Sequence, residues 1–152
     1  MIIASRYHDI SFGHRVVGHE GKCRFLHGHN YRIYFDCKAN GLDSIGRVID
    51  FGVIKSTLCV WLEQQWDHRF LMWEQDPMLQ NLKNLSLIYG EDNQEGEDLR
   101  NSLVPVPFNP TAENLGQFLL NTVGPSLLKN TGVVLCSVTI DETRKCSATV
   151  TL

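Results

Sequence analysis

The strongest hydrophobic pattern in the chain is the alternation of residues between positions 29 and 39. Its apolar face consists of Tyr31, Ile33, Phe35 and Cys37. The intervening positions are mostly polar, and a period of two residues is typical of a β-strand with one buried face. Similar stretches predict three further strands at residues 2–12, 133–140 and 147–152.

Two segments between these strands follow helical spacing instead. Asp50 suits an N-cap, and it precedes a stripe of apolar residues that comprises Phe51, Ile54, Leu58, Trp61 and Leu62. This helix should end near Trp66. Thr111 suits the cap of a second helix, whose inner face comprises Leu115, Phe118 and Leu119. The order ββααββ predicts an α+β domain, an antiparallel four-stranded sheet with two helices on one face.

The region between the two helices is less regular. Asp76-Pro77 combines an N-cap residue with proline at the first helical position, which predicts a short helix. Residues Tyr89 to Asn101 contain two glycines and many acids, and we interpret them as an exposed loop because charge runs are usually solvated.

Composition limits the functional classes. With 152 residues, 43% of them hydrophobic, the chain is expected to form one globular domain over residues 1–152. A formal net charge of −3 argues against nucleic-acid binding, which needs clustered lysine and arginine. No apolar run has the length of a membrane helix, and we see no signal peptide. Five cysteines without a C-x-x-C motif disfavour a disulfide framework and favour the cytoplasm.

The densest cluster of chemically active residues is Cys23-Arg24-Phe25-Leu26-His27-Gly28-His29-Asn30-Tyr31. On a strand, His27 and His29 point to one face, where they can share a cation. His14, at the end of the preceding strand, is the best candidate for the third ligand of an open zinc site. An isolated H-x-H pair is often only a half-exposed strand, and Cys23 as a fourth ligand would make the site structural rather than catalytic.

Other polar residues permit both ordinary and functional interpretations. Arg24, beside Cys23, is either solvated or in contact with an anionic substrate. Asp67-His68 alone predicts only a polar loop. Glu142 suits a hairpin turn, and the helix dipole alone favours Glu113 in a first helical turn.

These motifs together resemble the family of 6-pyruvoyl-tetrahydropterin and 6-carboxy-tetrahydropterin synthases, over nearly the whole chain. Besides the central cluster, the resemblance includes Val48-Ile49-Asp50-Phe51-Gly52, Asp67-His68-Arg69-Phe70-Leu71, Pro110-Thr111-Ala112-Glu113-Asn114-Leu115 and Asp141-Glu142-Thr143. It implies the tunnelling fold, in which sheets from several subunits join edge to edge into a barrel. Two barrels stack, so the resemblance implies a trimer-based homo-oligomer, commonly a hexamer.

The resemblance also implies roles for single residues. The zinc ligands would be His14, His27 and His29. Cys23 would be the catalytic base, completed by Asp67 and His68 from a neighbouring subunit. Glu142 would anchor the pterin, because one carboxylate can accept two adjacent N–H donors. Three further residues are expected to support substrate binding, namely Arg24, Glu113 and Thr143.

Within the family, two reactions on 7,8-dihydroneopterin triphosphate compete. One eliminates triphosphate to give 6-pyruvoyl-tetrahydropterin. The other also releases acetaldehyde and gives 6-carboxy-tetrahydropterin, a precursor of queuosine and other deazaguanines. Three residues separate Cys23 from His27, a spacing that resembles the 6-carboxy branch, which we favour. A non-catalytic zinc or pterin-binding module is a further alternative, but it would need neither the base nor the Asp67-His68 pair.

Overall fold

The fold is a mixed six-stranded sheet with helices packed on one face. A computed structural model covers residues 1–152, and its strands follow the order β4-β3-β1-β2-β5-β6 across the sheet. The strands are β1 (Ala4–His14), β2 (His27–Ala39), β3 (Phe70–Trp73), β4 (Leu103–Val106), β5 (Val133–Asp141) and β6 (Ser147–Thr151). The predicted α+β class is therefore confirmed.

The predicted four antiparallel strands correspond to β1, β2, β5 and β6, but a count of four is wrong. β3 pairs with β1, and β4 pairs with β3, both in parallel. Each has only four residues, too few to display an alternating pattern. Pro105 lacks an N–H and also weakens the strand signal of β4, although an edge strand tolerates it.

The two predicted helical stretches are present, each interrupted by a π-helical turn. The first comprises α1 (Phe51–Ile54), a π turn (Lys55–Cys59) and α2 (Val60–Gln65). The second comprises α5 (Ala112–Phe118), a π turn (Leu119–Val123) and α6 (Gly124–Leu127). Both predicted caps are confirmed, since Asp50 accepts the N–H of Gly52, and Thr111 accepts that of Asn114.

The stretch from Tyr89 to Asn101 is not a loop throughout, as the sequence predicted. After α3 (Pro77–Ile88), the chain turns and forms α4 (Gln94–Ser102). Asn93 caps α4 by accepting two backbone N–H groups, and acidic residues in its first turn suit the helix dipole. Gly96 lets α4 approach α3 closely, because a Cβ there would lie 2.7 Å from the Ser86 carbonyl oxygen.

The core lies between the sheet and the long helical stretches. The apolar face predicted for β2 is buried, and the residues at its centre are Tyr31, Ile33, Phe35 and Cys37. Phe12 of β1 stacks on Tyr31, with ring centroids 3.8 Å apart. This packing turns the face of β1 and β2 that carries Phe12 and Tyr31 toward the helices. The histidines lie next to these two rings, at the ends of the strands. None of the helices has the length and apolarity needed to cross a bilayer.

Candidate metal centre and active site

The pairing of β1 with β2 brings three histidines together. His14 ends β1 and stands opposite His27, the first residue of β2, while Phe12 stands opposite His29. Because side chains alternate along a strand, all three imidazoles project from the same face. One ligand nitrogen from each histidine lies within 4.8 Å of the others. The clustering expected from the sequence is therefore present in a single chain.

Backbone carbonyl groups orient two of these rings. His14 Nδ1 lies 2.7 Å from the Pro110 carbonyl oxygen, and His27 Nδ1 lies 2.7 Å from that of Phe25. A carbonyl accepts only from N–H, so each ring carries its proton on Nδ1. Nε2 is left with a lone pair, the form in which imidazole binds a metal.

Burial favours the neutral form of His14 and His29. Burial lowers the pKa of His14 to about 4. The hydrogen bond with Pro110 opposes this shift, and the neighbouring His27 and His29 reinforce it. Burial likewise lowers the pKa of His29, opposed by the charge of Glu142. His29 Nε2 is buried and has no hydrogen-bond partner. A buried polar atom without a partner is costly, and a metal ion would satisfy it.

Glu142 connects this cluster to a neighbouring cavity. Its carboxylate oxygens lie 3.6 Å from His29 Nε2 and 3.9 Å from His14 Nε2. The same residue lines a cavity of about 340 Å³ together with Cys23 and Glu113. Three residues that the sequence predicted for base catalysis and substrate binding thus share one cavity beside the histidines. Cys23 does not belong to the group of possible ligands, so three histidines are the ligand set that the geometry supports.

Cys23 is half-buried on a short 3₁₀ turn, Lys22–Arg24. The Arg24 guanidinium donates to the carbonyl oxygens of Glu20 and Gly21 and lies 4.4 Å from the centroid of the Phe25 ring. In this conformation Arg24 stabilises the loop that carries Cys23, and its predicted contact with substrate stays a prediction.

Asp67 and His68 form a pair on a different cavity. His68 Nδ1 lies 2.8 Å from Asp67 Oδ2, and Asp67 Oδ1 accepts the N–H of Ser11 at 2.9 Å. His68 has a φ of 57°, and its side chain is 82% exposed. The pair lines a cavity of about 600 Å³ that also includes Thr143 but not Cys23. Within one chain, the predicted relay therefore does not share the cavity of the predicted base.

Sequence reasoning missed several groups around the site. His19 and Cys146 line the cavity of Cys23, and the Tyr31 hydroxyl lies 3.2 Å from His14 Nε2. The carbonyls of Phe25 and Pro110 are backbone groups and have no side-chain signal. Of these groups, only His19 could have been indicated by the sequence, because it lies in the same loop as Cys23.

Comparisons with known proteins identify the family of the chain. A family model described as 6-pyruvoyl tetrahydropterin synthase matches residues 3–152. The 6-carboxy-5,6,7,8-tetrahydropterin synthase of Rickettsia typhi is 33% identical over 150 residues, covering 96% of this chain and 97% of that protein. The protein of the same name from Haemophilus influenzae is 27% identical and covers 80% of this chain and 81% of its own length.

Solved structures share the fold. An uncharacterized protein from Wolinella succinogenes superposes with a TM-score of 0.82 at 25% identity, covering 99% of both chains. The 6-pyruvoyl tetrahydropterin synthase of Caenorhabditis elegans superposes with a TM-score of 0.65 at 22% identity, covering 99% of this chain and 94% of that one.

Proposed function

The chain belongs to the 6-pyruvoyl tetrahydropterin synthase family and is a lyase, and we propose that it is a zinc-dependent 6-carboxy-tetrahydropterin synthase. Its substrates would be 7,8-dihydroneopterin triphosphate and one water molecule, converted to 6-carboxy-5,6,7,8-tetrahydropterin, acetaldehyde and triphosphate on the route to queuosine. The proposal rests on one observation: the histidine cluster lies beside a cavity that is lined by both Cys23 and Glu142.

The three histidines are the proposed zinc ligands. Neutral imidazole nitrogens suit zinc, and three protein ligands leave a position for substrate oxygens. When bound, zinc would supply Lewis-acid polarisation of the substrate side chain. The protein's own contribution is to hold His14 and His27 in the correct tautomer through the Pro110 and Phe25 carbonyls.

Glu142 is the proposed pterin anchor, since a carboxylate can accept two parallel N–H groups from the pterin edge. It is 22% exposed at the side chain, so such hydrogen bonds would form in a partly desolvated site. Glu113 lines the same cavity and would assist. Arg24 and Thr143 are also proposed to contact the substrate.

Cys23 is the proposed base that removes a proton from the substrate side chain, and Asp67 and His68 would relay that proton. Asp67 orients the His68 ring through Nδ1, which leaves Nε2 to accept. Since the pair lies away from Cys23 in one chain, we propose that a neighbouring subunit supplies it. A hexamer of edge-joined sheets would do so and would cover the outer edges of β4 and β6. The free cysteines fit a cytoplasmic location.

The branch of the family is tested by product analysis. The protein is incubated with zinc and 7,8-dihydroneopterin triphosphate, acetaldehyde is followed with a coupled dehydrogenase, and pterins are identified by mass spectrometry. Acetaldehyde formed in step with triphosphate is the expected result. Triphosphate with a 6-pyruvoyl product would assign the chain to the other branch. Absence of any turnover would contradict the proposed reaction.

A further inference from the structure

A buried ion pair lies behind the loop that carries Cys23. The Asp76 side chain has no exposed surface and that of Arg15 is 18% exposed. Arg15 Nε lies 2.6 Å from Asp76 Oδ2, and one terminal nitrogen lies 2.9 Å from Oδ1. Asp76 Oδ1 also accepts the N–H of Met78 and so caps α3. Such a two-point contact fixes the position of a guanidinium group, not only its charge.

The same guanidinium reaches the turn that contains Cys23. Its other terminal nitrogen donates to the carbonyl oxygen of Arg24 at 3.3 Å. The next residue, Val16, donates its N–H to the carbonyl of Cys23 at 2.8 Å. Arg15 and Val16, the two residues that follow His14, therefore bind the backbone carbonyls of Arg24 and Cys23. The position of Cys23 is thereby connected to the end of β1.

The rest of the loop is held differently. Asn109 binds the backbone of Val17 in both directions, at 2.9 and 2.8 Å. Arg24 folds back on its own loop through Gly21, so its contacts stabilise the turn without attaching it to the body of the protein. Arg15 is the side chain that joins the Cys23 end of the loop to a buried charge.

We propose that Asp76 and Arg15 form a positioning pair that fixes Cys23 relative to the histidine cluster and Glu142. Neither residue lines the cavity of Cys23, so the pair acts through the backbone rather than by contact with substrate. This inference rests on the proposed role of Cys23 as base. Small displacements of a catalytic group are costly, because a misplacement of about 1 Å can reduce a rate about 10²-fold.

The test uses two conservative variants of the full-length zinc-loaded protein, Arg15→Lys and Asp76→Asn. Lysine keeps the charge but has one point of contact, so it cannot hold Asp76 and the Arg24 carbonyl together. Asparagine keeps an oxygen that can cap α3. We expect each to lower kcat by about tenfold or more, with KM and zinc content close to those of the wild type. Arg47→Lys, in the exposed Asp43–Arg47 pair, is the matched control and should change neither.

A second measurement does not depend on turnover. Cys23 is alkylated with iodoacetamide, and its rate is measured by peptide mass spectrometry. Cys146 lines the same cavity and serves as an internal control. A displaced loop should change the rate at Cys23 but not at Cys146 in both variants. The double variant should resemble either single variant, since the two residues act as a unit.

The outcomes separate three cases. Loss of kcat with altered Cys23 alkylation supports the pair as a positioning device. A lower Tm with unchanged kcat and unchanged alkylation would mean that the pair only stabilises the fold, and the proposal would be wrong. If the wild type itself has no turnover, the proposed function fails, and the alkylation rates alone still decide whether the pair positions Cys23.

Discussion

The histidine cluster and the Asp67–His68 pair differ in how they are built. The cluster stands on two paired strand ends, is partly to fully buried, and has two rings oriented by backbone carbonyls. Asp67 and His68 lie in an irregular segment before β3, and His68 is largely exposed at a positive φ. One half of the proposed site is thus complete in a single chain, whereas the other half faces a different cavity.

The difference follows from backbone geometry. A β-ladder fixes directly opposed Cβ atoms at about 4.5–5.5 Å, so the register that pairs His14 with His27 also fixes the cluster. The position of His68 instead depends on two contacts. Its N–H donates to the Ser11 carbonyl at 2.7 Å, and its ring contacts Asp67. The sheet therefore brings the three histidines together within one chain, whereas the proposed proton relay would depend on assembly.

The largest expected effect comes from removing one histidine of the cluster. His27→Ala should reduce bound zinc from about one per chain to almost none and abolish turnover, because the two remaining nitrogens cannot hold the ion. The measurement is metal content by mass spectrometry after dialysis. The control is His8→Ala, which removes a histidine from β1 that pairs with Glu63, outside the cluster. Retention of full zinc content by His27→Ala would contradict the ligand assignment.

Removal of the proposed base should act on the rate alone. Cys23→Ala is expected to retain zinc and to lose about 10²–10⁴ in kcat, the usual contribution of a general base. Zinc and kcat are measured on the same preparation. Cys146→Ala removes another thiol of the same cavity and should retain most of the activity. Joint loss of zinc and activity in Cys23→Ala would instead make Cys23 a ligand.

How much the sequence predicted depends on whether a feature is local. Alternation along β2 predicted its buried face and, with the H-x-H spacing, the common direction of His27 and His29. The caps at Asp50 and Thr111 were also predictable because each depends on contacts within a few residues.

Features that depend on distant partners were not predictable in this way. β3 and β4 are strands because they pair with β1 and with each other, and four residues carry too little periodicity to indicate this. α4 is polar on most of its surface, so its sequence resembles a solvated loop. The contact of Arg15 with Asp76 spans 61 positions of the chain, and no local pattern indicates it.

A mixing experiment tests whether the two halves of the site come from different chains. Cys23→Ala and His68→Ala chains, each inactive alone, are unfolded together, refolded and assayed. If a site combines Cys23 of one chain with His68 of another, random assembly should restore about one quarter of the sites. A mixture of the two refolded separately is the control. Equal inactivity of both mixtures would mean that each chain supplies both residues to its own site.

The smallest expected effect concerns the stability that Asp67 supplies within one chain. Burial raises the pKa of Asp67, but hydrogen bonds from the Ser11 N–H and His68 outweigh it, so that the pKa lies below the ordinary value of 3.8. A carboxyl with a lowered pKa stabilises the folded state fully above pH 3.8, and this contribution disappears as the pH falls through the folded-state pKa. Asp67→Asn should therefore be less stable than the wild type at pH 7, by about 1 kcal/mol, the net contribution of one hydrogen bond.

The difference between Asp67→Asn and the wild type should shrink as the pH falls below 3.8, because the wild-type carboxyl then becomes protonated and loses its advantage over the amide. Urea unfolding between pH 3 and pH 7, with EDTA to remove metal, measures this difference directly. Asp92→Asn, in the exposed turn before α4, reports the effect of losing a carboxylate elsewhere. A stability difference that stays constant over the whole range would show that the charge of Asp67 contributes nothing to stability. The variant would then be less stable only because the asparagine amide fits the site less well.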